Sequence, residues 1–270
     1  MIQLIYIFLF GIIAGSIGSM VGIGGGVFMI LFFTLVIKVP IKYAVALSLV
    51  SVVASSSIAT SFYLHEKMTN IRLAMILETA TCSGAILGAF TALLIPTSLI
   101  EGILGITLSY VGMISFLNPI SHEVITKPSK LSGEYYDGKN LIKYSILRIK
   151  FGLFASLIAG MISGMIGIGG GIIKVPIMNL IMKIPIKAAA ATSNFMVGLT
   201  ASASAIVYFI KGMIDFQLAI PAILGITIGA IIGTRYLIHG KPIYIRKIFG
   251  LILLFFSIIF ILKALGVLIL

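Results

Sequence analysis

The chain has 270 residues, 60% of them hydrophobic and only 10% charged, with a mean hydropathy of +1.23. A water-soluble domain carries roughly 25% charged residues, so most of this surface must face lipid and a soluble globular protein is excluded. The formal charge of +12, from 19 Lys+Arg against 7 Asp+Glu, would suggest nucleic acid in a soluble protein; here its distribution along the chain decides what it means.

The first apolar run covers 4–21. It has no basic n-region and no small-x-small cleavage site, so it is expected to stay as a membrane segment and not to act as a signal peptide. The next run, 27–37, is too short to cross a bilayer, which needs about 20 apolar residues. Three long runs follow, 43–64, 71–95 and 99–117, and then a polar stretch from 119 to 150. The pattern then recurs: 151–166, a short 172–182, and long runs at 188–210, 216–238 and 244–265.

Sliding the chain on itself by 145 residues places Gly22-Ile23-Gly24-Gly25-Gly26 on Gly167-Ile168-Gly169-Gly170-Gly171. The same shift pairs Lys38 with Lys183, Pro40 with Pro185, Ser48 with Ser193, Tyr63 with Tyr208, Gly84 with Gly229 and Gly105 with Gly250. A register held without a gap over about ninety residues marks an internal duplication. The expected organisation is therefore a first transmembrane repeat at 1–118, a connecting loop at 119–150 and a second transmembrane repeat at 151–270.

Charge sets the topology. Basic residues gather in the cytoplasmic loops of membrane proteins. With the 119–150 loop in the cytoplasm, 14 of the 19 basic residues fall on the inner side and four on the outer. The expected fold is an all-α polytopic membrane protein of two inverted-topology repeats, five segments each, the first two broken or re-entrant at a glycine-rich loop. Both termini would lie outside. The charge is then topological, and a nucleic-acid partner has no further support.

Glycine at this density breaks a helix, and broken backbone is tolerated in lipid only where protein or a water-filled cavity satisfies it. The short segments after each cluster would present free N–H groups and the positive end of a helix dipole. Two such ends approaching from opposite sides make an anion site without a buried charge. A Walker loop would need Gly-Lys-Ser/Thr after the glycines, and a dinucleotide fingerprint a soluble βαβ unit; neither is present. Gly84-x-x-x-Gly88 and Gly229-x-x-x-Gly233 read instead as close helix packing.

The stretches GSMVGIGGGVFMI and SGMIGIGGGIIKVP, with Pro176, Ala191-Thr192-Ser193-Asn194 and the Gly229–Arg235 segment, resemble the paired signature of the TauE/SafE family of sulfite and organosulfonate exporters. The resemblance covers both halves and omits only the 119–150 loop. It implies transport of a small sulfur oxyanion and leaves the particular anion open. The halves differ at Ala46-Leu47-Ser48-Leu49, where the second has Ala-Thr-Ser-Asn.

The candidate substrate-binding residues are Gly24, Gly25, Gly26, Ser48, Gly169, Gly170, Gly171, Lys174, Thr192, Ser193 and Asn194. Lys174, whose repeat mate is Met29, either counters the substrate charge or snorkels to an interface. Glu78, whose mate is Ile223, either carries a proton or, the favoured reading, pairs with Arg72. The single cysteine, Cys82, lacks an evident partner and excludes a cysteine-built metal centre; His65, His122 and His239 share no ligand spacing. No cofactor, metal or catalytic residue is expected.

The expected function is a secondary transporter of the cytoplasmic membrane, working by alternating access. Export of an anion is favoured by about 2.3 kcal/mol per charge per 100 mV. A passive anion channel shares every feature named. An intramembrane enzyme would need a nucleophile–base pair or ligating histidines. The partners are a small anion and the bilayer, and a homo-oligomer is compatible with the sequence.

Overall fold

The protein is described from a computed structural model, which covers residues 2–117, 132–137, 140–239 and 243–267. Lys127, Lys130, Lys139 and His122 of the connecting loop lie outside the described residues. The helices run in the order α1 (Ile2–Val21), α2 (Gly26–Leu35), α3 (Ile41–His65), α4 (Ile71–Leu94) and α5 (Thr97–Leu117). After a hairpin come α6 (Ile149–Ile166), α7 (Gly171–Pro176), α8 (Ile186–Ile210), α9 (Phe216–His239) and α10 (Ile243–Ala264). Among the described residues, seven helices, α1, α3, α4, α5, α6, α8 and α9, are long and apolar enough to cross a membrane. This is a multi-pass, largely helical membrane protein.

The 145-residue shift holds in the backbone. α3 and α8 begin and end one shift apart, and both have 25 residues. Lys38 and Lys183 both take φ 60°, and Gly25 and Gly170 take φ 74° and 77°. A departure follows α7, where Pro176 cannot donate to the helix ladder and the next turn, Ile177–Ile181, widens to a π-helix.

Small residues decide which helices meet. Ile5, Tyr6, Leu9 and Ile13 stand exposed on the outside of α1, while Gly11, Ala14, Gly15 and Gly18 are buried on its inner side. A Cβ on Gly229 would collide with the Ile12 carbonyl, and one on Gly233 with the Ser16 carbonyl. In the other seam Gly84 lies against the Leu157 carbonyl and Gly88 against that of Met161. Contact advances in the same direction on both partners, so α1 runs parallel to α9 and α4 parallel to α6. These GxxxG-type seams let backbones approach as far as lipid-embedded helices can. By contrast, α5 and α10, which are repeat mates, pack in opposite directions: Gly105 meets Ile261, and Gly112 meets Gly250.

The connecting stretch departs from an all-α reading. Strands β1 (Gly133–Asp137) and β2 (Asn140–Tyr144) pair antiparallel. Tyr135 and Tyr144 are buried, and their rings meet edge to face at 6.3 Å. Both belong to one buried cluster that includes Tyr63, Met178, Met182 and Ile184, and the Leu147 N–H donates to the Met182 carbonyl at 3.2 Å. The hairpin is thereby seated on one end of the helix bundle. Burial pushes the Tyr144 phenol above its ordinary pKa, against a smaller downward pull from a hydrogen bond with Asn70.

Candidate functional site

The two glycine loops meet inside the bundle, and every residue from Gly22 to Gly26 and from Gly167 to Gly171 is buried. Gly25 and Gly170 form the left-handed N-caps of α2 and α7, and neither helix start has a side-chain cap. A Cβ at Gly25 would also stand 2.7 Å from the Ala14 carbonyl, so this position demands glycine twice over. Uncapped first turns keep N–H groups and a partial positive charge directed at the loop.

Symmetry-related serines stitch the loops together. Ser48 on α3 donates to the carbonyls of Gly26 and Gly167, each at 2.8 Å. Ser193 on α8 donates to the Gly22 carbonyl at 3.0 Å. Gly22 and Gly167 are repeat mates, as are the two serines, so the cross-bonds are reciprocal. Ser48 has a single hydroxyl proton for two carbonyls and serves one at a time. Tyr63 and Tyr208 repeat the pattern, donating to the carbonyls of Ser19 and Gly164 at 3.0 and 3.1 Å.

Apolar side chains close the junction. A Cβ on Gly24 would stand 3.2 Å from Val52 Cγ1 and 3.1 Å from Val197 Cγ1. On Gly169 the same two methyls would be at 2.9 and 2.7 Å. Val52 and Val197 are again mates, and together they cover both loops. Ser55, one turn along α3, donates to the Gly24 carbonyl. Ser55 is not among the residues singled out from the sequence; its repeat mate Thr200 was the available signal. An apolar cleft between α1, α5, α7 and α8 reaches Ile23 of the first loop and Ile172 at the edge of the second, with Ser115 and Lys187 as polar lining.

The structure thus brings together Gly24, Gly25, Gly26, Gly169, Gly170, Gly171, Ser48 and Ser193. It leaves Thr192 elsewhere, where its hydroxyl accepts from the Asn70 N–H at 3.0 Å. Asn194 donates to the carbonyls of Ala190 and Ser19 at 3.2 and 3.4 Å. Its Oδ1 is buried without a partner among the described residues.

Lys174 neither snorkels nor faces an open path. It is buried on α7 directly behind Gly170, and its Nζ stands 3.3 Å from Glu78 Oε2 and 2.7 Å from Thr200 Oγ1. This corrects the Glu78–Arg72 pairing. Residues six apart on a helix do not share a face; Arg72 is exposed, while Glu78 turns inward to α7 and α8. Thr200 Oγ1 and Glu78 Oε1 are 2.5 Å apart, and the Cys82 thiol donates to the same carboxylate at 3.2 Å. Glu101, near the start of α5, pairs with Lys263 at 3.0 Å.

Membrane-spanning helices around two broken, glycine-capped half-helices form the architecture of a membrane transport protein. The chain belongs to the TauE/SafE family: the family model described as "Sulfite exporter TauE/SafE" matches residues 7–260. It is 24% identical over 230 residues to the probable membrane transporter protein YunE of Bacillus subtilis, covering 83% of this chain and 84% of that one. A probable membrane transporter protein of Methanocaldococcus jannaschii is 27% identical over 270 residues, covering 91% and 92%. No solved structure matches. The family and relatives' names indicate a membrane transporter rather than an enzyme.

Proposed function

We propose that the protein is a secondary transporter that moves a small sulfur oxyanion, sulfite or an organosulfonate, outward across the cytoplasmic membrane. The observation that carries this reading is the meeting of two uncapped helix starts, one from each half, at loops stitched by Ser48 and Ser193. Such a junction offers backbone N–H groups and two positive dipole ends to an anion and can release it again. The antiparallel packing of the repeat mates α5 and α10 supports an inverted pair of repeats. Basic residues on the loops support placing both termini outside and the 119–150 stretch in the cytoplasm. Val52 and Val197 close the junction in this conformation, which favours a carrier that alternates over a standing pore.

The test is flux in reconstituted liposomes across sulfite, thiosulfate, sulfoacetate, taurine and sulfate. Saturable uptake with counterflow is expected for at least one of them. Gly25→Val and Gly170→Val should each abolish it in folded protein. Ohmic anion current, or full activity in both variants, would overturn the reading.

A further inference from the structure

The two halves build the same backbone with different side chains at one place. Where the second half has Lys174 and Thr200 and the first contributes Glu78, the mates are Met29, Ser55 and Ile223. The fold therefore forms around Met and Ile at the equivalent positions and does not require charge there. Burying an ion pair costs more desolvation than burying apolar residues of similar size, and replacing such a pair by well-packed apolar groups is often neutral or stabilising. This pair is nonetheless deeply buried: the Lys174 and Glu78 side chains are 1% and 5% exposed. An expensive feature on one side of a symmetric frame points to use, not to support.

Its position indicates what use. Lys174 lies in the first turn after the second glycine loop, and its Cε would stand 3.3 Å from a Cβ on Gly170. The Lys174 side chain runs beside the loop at its Cε and ends on Glu78 at its ammonium. Glu78 is thus the anion that holds Lys174 when no other anion does. Its carboxylate is engaged by Lys174, Thr200 and Cys82, and losing the ammonium would leave a buried charge that a proton can cancel.

Other ionisable groups on the surrounding helices, among the described residues, are few. α6 carries Lys150, which is exposed. α8 carries Lys187 and also Tyr208, which donates to Gly164. α5 carries Tyr110 and also Glu101, held by Lys263. α4 itself adds Arg72, which is exposed, and Cys82, which is half-buried. Of these, Cys82 alone is bonded to the pair.

We propose that Glu78 is a proton-binding site coupled to transport: the anion takes Lys174 as a proton from the aqueous phase adds to the Glu78 carboxylate. On release the proton leaves, and the Glu78–Lys174 pair re-forms. One proton then travels with each anion, a monoanion crosses without net charge, and a dianion moves one negative charge. This rests on the transporter reading above and adds its coupling ion; a monoanion then draws nothing from the membrane potential, so its outward movement requires an internal anion excess larger than the opposing pH gradient.

The experiment follows labelled sulfite in proteoliposomes, corrected against protein-free vesicles, first as exchange at equal pH and then under an imposed inside-alkaline pH gradient. The unaltered protein should accumulate a monoanion about tenfold per pH unit, the ratio for one proton per anion. Glu78→Gln, and separately Glu78→Ile with Lys174→Met (the residues of the other half), should lose the gradient-driven accumulation while melting as folded protein. Equal-pH exchange should survive in the glutamine variant. Accumulation as large as in the unaltered protein would overturn the proposal. So would loss of equal-pH exchange in Glu78→Gln, because the carboxylate would then serve passage of the anion itself. Absence of any exchange by the unaltered protein would overturn the transporter reading as well, whereas exchange without gradient response overturns the coupling alone.

Discussion

The Glu78–Lys174 pair makes a sharp energetic prediction through a double-mutant cycle. At 3.3 Å, two unit charges in an effective dielectric of about 20 attract by about 5 kcal/mol. Removing one partner strands the other charge and should cost about 3–5 kcal/mol. Thr200 and Cys82 soften the loss of Lys174, since both stay bonded to the carboxylate; Glu78→Ile, which leaves an ammonium with one hydroxyl, should be the worse of the two singles. Glu78→Ile combined with Lys174→Met removes both charges and restores side chains that the other half already packs at these places. The double variant should therefore lie within about 1 kcal/mol of the unaltered chain or above it. Melting followed by helical circular dichroism in detergent reads the cycle, with the singles expected on the order of 10 °C lower. A double variant as unstable as the worse single would refute the inference that the fold does not need this pair.

Three further outcomes are expected. Ser48→Ala and Ser193→Ala should each cost about 1–3 kcal/mol, the price of one orphaned carbonyl; Ser48 has two acceptors but one proton, so a cost twice that of Ser193→Ala in the same melt would contradict the sharing. In a Cys82→Ser background, Gly105→Cys with Ile261→Cys should form a disulfide and Gly105→Cys with Gly250→Cys should not; the reverse pattern would show α5 and α10 running parallel. Because the fold raises the Tyr144 pKa, it favours the neutral phenol, so this contribution is intact below about pH 10 and declines as the pH rises above it. A spectrophotometric tyrosine titration should show a late-ionising group that disappears in Tyr144→Phe, and an unchanged curve would place Tyr144 in solvent.

The spans, the 145-residue register and the glycine loops were legible because each rests on local chemistry: a run of apolar residues, or glycines, which adopt φ 74° and 77° at Gly25 and Gly170 without a side-chain penalty. The small-residue seams were legible as seams, though not as to which helix meets which. The hairpin carried a readable signal, Asp137-Gly138 between short runs containing Tyr135 and Ile142, obscured by the charge around it. What sequence could not supply was direction across space. Lys174 and Glu78 lie 96 positions apart, and nothing local to either names the other. Arg72 looked attractive to Glu78 because it is near in the chain, yet helical rotation takes it to another face. Thr192 sits beside Ser193, but successive helical residues point about 100° apart, so one reaches a glycine loop and the other Asn70. A comparison of the halves could have drawn attention to the pair, since Met29 and Ile223 are apolar where its members are charged.

The two long parallel seams, α1 with α9 and α4 with α6, each join a helix of one half to a helix of the other. Neither half therefore encloses its own core, and the unit copied in the gene is not the unit that folds. A chain severed within 119–150 would yield two fragments that must assemble interlaced, each furnishing the walls the other lacks. The covalent link between them keeps the stoichiometry at one to one. Each copy can then specialise: one keeps Met29 and Ile223, while Lys174 and Glu78 give the shared interior an asymmetry that two identical subunits could not hold.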